Sequence, residues 1–202
     1  MSLYLFDRTV MAQGYSCLCG VDEAGRGPLA GPVYAAAVIL PYHTEIQGIN
    51  DSKKLSEKKR EALFELIIEQ ATAFCIASAD ETEIDAYNIL QAYLLAMRRA
   101  VQGLTLQPDF VLVDGNCDPG VGIPTGTVVQ GDATSACIAA ASILAKVARD
   151  RKMLELDALY PQYAFAKHKG YPTKLHYERL EQYGESPVHR QSFLKKWRES
   201  RA

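Results

Sequence analysis

Two adjacent acidic residues stand in the most apolar part of the N-terminal third of this 202-residue chain. Asp22 and Glu23 occur in the stretch GVDEAGRGPLAGPVYAAAVIL (residues 20–40), which is rich in glycine, alanine and β-branched residues. In a regular strand, neighbouring side chains point to opposite faces, so at least one of the two carboxylates faces the core. Because an unpaired buried carboxylate is costly, the chain needs a cationic partner, a distorted strand or a loop here.

The composition predicts one domain with a tail, since 202 residues that are 48% hydrophobic can bury one sizeable core. No run of 18 apolar residues occurs, and the N-terminus MSLYLFDRTV has neither a basic segment nor a long apolar one. We therefore expect no membrane span and no secretion. The five cysteines are odd in number and never spaced CxxC, which is typical of reduced residues in a cytoplasmic protein.

Charge is distributed unevenly along the chain. The net charge is −2, but residues 167–202 contain nine Lys and Arg against four Glu, which leaves 13 basic and 20 acidic residues elsewhere. A basic C-terminal part beside an acid-rich body indicates a surface for a polyanion, with metal ions bridging to the acids. Charge alone leaves a solvated charged tail as the simpler alternative.

The hydrophobic pattern predicts alternating strands and helices, which indicates a three-layer α/β or α+β sheet rather than a helical bundle. The first two strands are joined by a Gly/Pro turn as a hairpin. The predicted strands are residues 15–23, 31–40, 73–80, 109–116 and 126–132. The predicted helices are residues 56–71, 81–104, 134–160 (ended by Pro161), 173–183 and 187–199.

Acidic residues occur where the predicted strands end. Asp22 and Glu23 end the first strand, Asp114 ends FVLVD, and Asp132 ends TVVQGD. Each has a simple structural explanation, such as a turn at Asp114 or a helix cap at Asp132. Together, however, four carboxylates at the carboxyl ends of strands would repel one another without cations. Such an oxygen-rich set suits Mg²⁺ or Mn²⁺, and a pair of these ions is a usual device for phosphodiester hydrolysis.

The segment GRGPLA also satisfies the dinucleotide-binding pattern GxGxxG/A through Gly25, Gly27 and Ala30. That pattern requires a helix directly after the glycines. Here Pro28 and Pro32 intervene and a β-rich run follows, so a dinucleotide site is not predicted. The glycines can instead let the backbone approach a ligand closely and present its N–H groups.

Seven motifs in order resemble ribonuclease HII of the bacterial type, over about residues 18–193: GVDEAGRGPLAGPV, NDSKKLSEKKR, EIDAYNILQAYLLAMRRA, VLVDGN, GDATSACIAAASILAKVARD, HKGYPT and HRQSF. The resemblance implies an RNase H-like catalytic domain in residues 1–160, a mixed sheet flanked by helices. It also implies a small helical C-terminal extension, residues 161–202, that packs on this domain and contributes to substrate binding.

The implied activity is that of a divalent-metal endonuclease. It would cut the RNA strand of RNA–DNA hybrids and incise at single ribonucleotides embedded in duplex DNA, with two Mg²⁺ or Mn²⁺ ions giving 5′-phosphate and 3′-hydroxyl ends. The family's metal-binding carboxylates fall on the four acids already selected by the strand ends: Asp22, Glu23, Asp114 and Asp132.

The implied substrate-binding residues lie in three further motifs. The GRG turn, Gly25, Arg26 and Gly27, matches the element that contacts the ribonucleotide 2′-hydroxyl and the neighbouring phosphates. Tyr171 in HKGYPT matches a tyrosine that works with this turn at the RNA-to-DNA junction. Lys53 and Lys54 in DSKKLS match basic residues near the substrate backbone, with solvated loop charge as the alternative.

Other residues are expected to be structural, and two other functions stay open. Asp118 is expected to be a loop residue, Asp150 a salt-bridge partner, and the alanine-rich run 136–148 a close-packed core helix without chemistry. A DNA-only nuclease, such as a junction resolvase, would share the acids but have no use for GRG and Tyr171. A non-catalytic hybrid-binding module would not need the acids. We expect a cytoplasmic monomer.

Overall fold

One mixed sheet organises the chain, which a computed structural model describes for residues 2–43, 45–50, 52 and 55–201. Its strand order is β3-β2-β1-β4-β5, with β1–β2 and β2–β3 antiparallel and β1–β4 and β4–β5 parallel. The strands are β1 (Leu18–Ala24), β2 (Val33–Ile39), β3 (Ala73–Ala79), β4 (Phe110–Asp114) and β5 (Thr125–Val128). The predicted mixed sheet is confirmed.

Helices cover both faces of this sheet. They are α1 (Leu3–Met11), α2 (Glu57–Gln70), α3 (Glu81–Gln102), α4 (Ala136–Leu159), α5 (Phe165–His168), α6 (Lys174–Tyr183) and α7 (Lys195–Glu199). One face packs against α3, where Val21 and Ala35 contact a core that includes Met97. The other face packs against α2 and α4, where Ala36 and Val38 belong to the core.

Four elements differ from the prediction. Helices α1 and α5 were not predicted; Ser2 caps the N-terminus of α1. The strand predicted over 126–132 ends at Val128, and Asp132 lies instead in a single 3₁₀ turn, Gly131–Ala133. The predicted helix 187–199 is α-helical only at Lys195–Glu199, because residues 188–190 pair with residues 29–31 through backbone hydrogen bonds.

No helix within the described residues is both long and apolar enough to cross a membrane. All five cysteines are free thiols, and two of them, Cys19 and Cys137, are buried in the core.

The contact between β1 and α4 is a backbone-to-backbone approach. A Cβ built on Gly20 would lie 2.1 Å from the carbonyl carbon of Cys137 and 2.3 Å from the nitrogen of Ile138. Only a residue without a side chain allows the strand to lie this close to the helix. The small side chains of the run 136–148 therefore place the start of α4 directly over the strand that carries Asp22 and Glu23.

We expect Gly20→Ala to destabilise the protein by about 3 kcal/mol or more, because the added methyl group meets backbone atoms that cannot rotate away. Urea unfolding measures the loss. Gly27→Ala is the matched control, since a Cβ there lies 3.8 Å from Tyr171, an ordinary contact. Equal unfolding free energies for the two variants would contradict the close β1–α4 packing.

Candidate active site

The parallel pairing of β1 and β4 brings three of the predicted acids together. Val21 pairs with Val113, so the next residue of each strand, Asp22 in one and Asp114 in the other, lies beside its neighbour where the two strands end. Asp22, Glu23 and Asp114 line one surface pocket of about 210 Å³. The carboxyl ends of β1 and β4 thus lie together, at the end of the sheet where a site was expected.

Asp22 is almost completely enclosed, with 3% of its surface exposed. Burial raises the pKa of its carboxyl well above the usual range, and the nearby charges of Glu23 and Asp114 raise that pKa further. Its Oδ1 accepts a hydrogen bond from the Glu23 N–H at 2.7 Å, and Ser142 of α4 is a further hydrogen-bond partner. These bonds favour the ionised form and offset part of the cost of burial.

Glu23 lies on the opposite face of β1. In the ladder with β2, Asp22 pairs with Ala36 on the α4 face, whereas Glu23 pairs with Ala35 on the α3 face. Burial raises the pKa of Glu23, and the Arg26 guanidinium, 3.3 Å away, opposes that rise. The adjacent acids are therefore tolerated because they separate to two faces and one of them has a cationic partner.

Asp114 connects the sheet to the turn that carries Asp132. Its Oδ1 accepts a hydrogen bond of 2.6 Å from the N–H of Gly131, and Asp132, 4% exposed, is the next residue of that turn. The prediction that Asp132 ends a strand is wrong: Asp132 lies in the turn before α4, next to the Gly131 whose N–H binds Asp114. The pocket lining itself contains Asp22, Glu23 and Asp114.

The donor set fits a divalent cation of the Mg²⁺ type. Part of the rise in the pKa of Asp22 comes from repulsion by Glu23 and Asp114, which an added cation would relieve. Within the described part of the chain, no three His, Cys, Asp or Glu side chains are placed so that they could hold a metal ion by themselves. Mg²⁺ does not require such a cage, since it keeps several waters and uses one or two carboxylates together with substrate phosphates.

The glycine turn and Tyr171 lie at the mouth of the same pocket. Gly25, Arg26, Gly27 and Tyr171 all contribute to its lining. Gly25 has φ +102°, and the Tyr171 ring lies close to Gly27. The structure therefore brings the predicted glycine turn, the predicted tyrosine and three predicted acids together. Lys53 and Lys54 lie outside the described residues.

Three further polar residues line the pocket and were not found from the sequence: Ser52, Ser142 and Lys146. The hydroxyls of Ser52 and Ser142 are 2.7 Å apart. Ser142 and Lys146 are four residues apart on α4, so they share a face, and the polar spacing inside the alanine-rich run was the available signal. The run 136–148 was expected to be a close-packed core helix without chemistry; the structure shows in addition that two of its polar side chains, Ser142 and Lys146, line the pocket. Lys146 pairs with Asp150 at 2.7 Å, so Asp150 is the expected salt-bridge partner, but it is buried rather than on the helix surface as predicted.

Buried histidines support the backbone at Tyr171. The Ser186 N–H donates to His189 Nδ1, so the proton of His189 is on Nε2, which donates to His176 Nε2 at 3.0 Å. His176 must then carry its proton on Nδ1, which donates to the Tyr171 carbonyl at 3.0 Å. This chain of bonds requires both imidazoles to be neutral.

The electrostatics agree with neutral imidazoles. Burial lowers the pKa of both His176 and His189 to about 4. A third histidine, His168, stacks on His176 at 4.3 Å between ring centroids, and burial lowers its pKa too. His168 Nδ1 accepts from the Gly170 N–H, directly before Tyr171.

The comparisons with known proteins agree on one family. The sequence profile described as Ribonuclease HII matches residues 19–196. A Ribonuclease HII from Desulfitobacterium hafniense (strain DSM 10664 / DCB-2) is 55% identical over 187 residues, which are 93% of this chain and 72% of that protein.

Solved structures share the fold. The ribonuclease H2 from Pyrococcus horikoshii OT3 has a TM-score of 0.78 at 26% identity, over 91% of this chain and 96% of that one. RNase HII from Archaeoglobus fulgidus, solved in a complex with PCNA, has a TM-score of 0.70 at 25% identity, over 87% and 94%. Bst-RNase HIII, solved with Mn²⁺, is 17% identical with a TM-score of 0.66, over 84% and 63%, and shares the fold alone.

The mixed sheet with helices on both faces is therefore the RNase H-like fold. The chain belongs to the ribonuclease HII family, and the protein is a ribonuclease H, a nuclease of the hydrolase class.

We expect acid to destabilise the protein through His176 and His189. In the unfolded chain these imidazoles take up protons near the usual pKa of 6.5, whereas the folded protein excludes the protons until about pH 4. Their contribution to the free energy of unfolding is complete above the unfolded pKa and is lost as pH falls through this window.

Urea unfolding at several pH values between neutral and about 4.5 measures this effect. The slope of the unfolding free energy against pH is then compared with the slope that proton linkage predicts. His189→Gln should flatten the decline relative to the wild type, because one of the two imidazoles is gone. Gln47→Asn, an exposed substitution that removes no titratable group, is the control and should keep the wild-type slope. A slope that is unchanged in His189→Gln would refute the assignment of neutral buried histidines.

Proposed function

We propose that this ribonuclease H cleaves the RNA strand of RNA–DNA hybrids and incises 5′ of single ribonucleotides embedded in duplex DNA. The observation that carries the proposal is that one pocket is lined by three carboxylates, the glycine turn and Tyr171. Carboxylates suit metal-dependent phosphodiester hydrolysis. The turn and the tyrosine suit recognition of a sugar hydroxyl, which distinguishes RNA from DNA.

Recognition of one hydroxyl needs a close and rigid partner, because a single 2′-hydroxyl offers one donor and two acceptor lone pairs. The turn can approach a ribose closely because Gly25 and Gly27 have no Cβ. Tyr171 adds a phenol hydroxyl and a flat ring, and the ring is 40% exposed at the pocket mouth. A site built to bind a hydroxyl rejects the analogue without it, since its own polar groups are then left unpaired.

Metal binding is assigned to Asp22, Glu23, Asp114 and Asp132. Two Mg²⁺ or Mn²⁺ ions bound there would supply an activated water and stabilise the leaving 3′-oxygen, which gives 5′-phosphate and 3′-hydroxyl products. Support comes from the mutual repulsion of Asp22, Glu23 and Asp114, and from the Mn²⁺ complex of Bst-RNase HIII. Within the protein, the Asp114–Gly131 hydrogen bond fixes one carboxylate, and Ser142 orients another.

Residues 161–202 are proposed to belong to the substrate-binding surface. They reach the turn directly, since Gly170 accepts from the Leu29 N–H and Arg190 donates its own N–H to the Leu29 carbonyl. The basic residues of this segment, together with Lys53 and Lys54, would bind phosphates of the duplex. We also propose that the enzyme works as a monomer in the cytoplasm.

The direct test is incubation with duplex DNA that carries one ribonucleotide, with Mg²⁺ or Mn²⁺, and mapping of the cut. Incision on the 5′ side of the ribonucleotide is the expected result. Cleavage of an all-DNA duplex would favour a DNA-only nuclease, and binding without turnover would favour a hybrid-binding module.

We expect Asp114→Asn to abolish turnover and to leave the protein folded. The amide keeps the shape of the side chain but removes charge that holds the ions, and it also removes repulsion on Asp22, so the unfolding free energy should hold or rise. Cleavage rates and urea unfolding measure the two effects. Asp118→Asn, on an exposed loop, is the control. Cleavage by Asp114→Asn at close to the wild-type rate would remove Asp114 from the site.

We expect Tyr171→Phe to slow incision at a lone ribonucleotide and Tyr171→Ala to slow it more, because the first removes a hydroxyl and the second also removes the ring. Cleavage of a long RNA–DNA hybrid should suffer less, since neighbouring 2′-hydroxyls can supply other contacts. Tyr42→Phe is the control. Tyr42 follows β2, which is antiparallel to β1, so it lies at the opposite end of the strands from the pocket. If Tyr171→Ala incises the lone ribonucleotide as fast as the wild type, other residues must recognise the 2′-hydroxyl.

A further inference from the structure

Two completely buried arginines lie behind the glycine turn, and the proposed chemistry uses neither. Arg149 on α4 and Arg190 near the C-terminus are both 0% exposed. Among the described residues, neither guanidinium forms an ion pair with a carboxylate; each donates its hydrogen bonds to backbone carbonyls. Arginine is seldom fully buried without a paired charge.

Arg190 binds three carbonyls of the segment between β1 and β2. Its terminal nitrogens donate to the Gly25 carbonyl at 2.7 Å and the Arg26 carbonyl at 3.1 Å. Its Nε donates to the Gly31 carbonyl at 2.9 Å. One side chain therefore spans both ends of this segment and fixes two consecutive peptide units of the turn.

Arg149 holds the other side of the same segment. It donates to the carbonyls of Ala30 and Pro32 at 3.3 and 3.1 Å, and to the Lys169 carbonyl at 3.1 Å. The last bond connects the segment to the chain just before Tyr171. A Cβ on Gly25 would lie 2.1 Å from Arg149 Nε, so the absence of a side chain at position 25 lets this guanidinium approach.

Such an arrangement is costly. Burial, followed by the charge of Arg149, lowers the pKa of Arg190 to about 9. Well-packed apolar residues are often at least as stable as buried charges. Stability alone therefore gives little reason to place two like charges side by side here.

The direction of the peptide units supplies a functional reason. In a planar trans peptide the C=O and the N–H of the next residue point in opposite directions. Arg190 draws the carbonyls of Gly25 and Arg26 inward, so the N–H groups of Arg26 and Gly27 point away from it, on the side of the pocket. Neither N–H donates to an acceptor within the described residues.

We propose that Arg190 is a positioning residue, which holds the N–H groups of Arg26 and Gly27 towards the pocket as donors to an oxygen of the ribonucleotide. Arg149 keeps the same segment in register with Tyr171. This inference rests on the proposed function, because it takes that substrate as the partner of the turn. Two successive N–H groups held in this way form a concave donor site suited to an oxygen.

The test is Arg190→Lys, assayed on duplex DNA with one ribonucleotide and on a long RNA–DNA hybrid. Lysine keeps the charge, but its compact ammonium cannot span three carbonyls as a planar guanidinium does. We expect kcat on the lone ribonucleotide to fall by about tenfold or more, with a much smaller change in KM, because the lost donors act after the duplex is bound. The fall on the long hybrid should be smaller. Arg8→Lys, which keeps an ion pair with Glu45 far from the pocket, is the matched control.

A second pair of variants tests the donor itself and covers the case in which Arg190→Lys does not fold. Gly27→Pro removes the N–H, whereas Gly27→Ala keeps it and adds a Cβ that meets only the Tyr171 ring, at 3.8 Å. Both variants add bulk where the turn approaches the ribose and both should be slower than the wild type, so the comparison between them reports on the N–H. We expect Gly27→Pro to incise the lone ribonucleotide about tenfold more slowly than Gly27→Ala.

The possible failures are distinguishable. A wild-type enzyme that does not incise the lone ribonucleotide overturns the proposed function, and this inference with it. Suppose that the wild type incises the lone ribonucleotide. If folded Arg190→Lys then has the same kcat as the wild type, or if the two Gly27 variants have the same kcat as each other, only the role of Arg190 is overturned.

Discussion

The parallel pairing of β1 with β4 is the interaction on which the rest of the structure depends. It makes the two strands end side by side, and it therefore makes Asp22 and Asp114 neighbours although they are 92 positions apart in the sequence. Parallel neighbours need a crossover connection, and here the intervening chain also supplies β2, β3 and α3. The charge repulsion at these strand ends is a consequence of the topology, which the surrounding core must offset.

The second constraint is the segment between β1 and β2, which has little regular structure of its own. Its backbone is satisfied from outside, by the side chains of Arg149 on α4 and of Arg190, and by main-chain pairing with residues 188–190. Buried backbone groups need such partners, so the C-terminal part of the chain supplies the hydrogen bonds that this segment lacks, in addition to its proposed place in the substrate-binding surface. On the other side of the pocket, two neutral imidazoles in series provide the hydrogen-bond partner that the Tyr171 carbonyl needs.

Much of this could be predicted from the sequence, because local patterns determine it. The strands, the long helices and the acids at strand ends follow from alternation, helical periodicity and turn residues. Asp132 was assigned to a strand because the apolar run TVVQ gives no local signal that pairing stops at Val128. The segment 187–199 was misassigned because its partner, residues 29–31, is distant in sequence. Arg149 and Arg190 could not be recognised for the same reason, since a buried arginine bound to carbonyls resembles a surface arginine in sequence.

The long separation between Arg190 and the carbonyls that it binds has a consequence for how the enzyme matures. The hydrogen bond to Gly25 joins residues 165 positions apart. During synthesis the sheet and α4 can form while the C-terminal residues are still inside the ribosome, but the glycine turn cannot take its final shape until Arg190 emerges. The acidic ends of β1 and β4 can therefore form before the glycine turn is ordered. A nascent or C-terminally truncated chain would have its carboxylates in place without the ordered turn beside them.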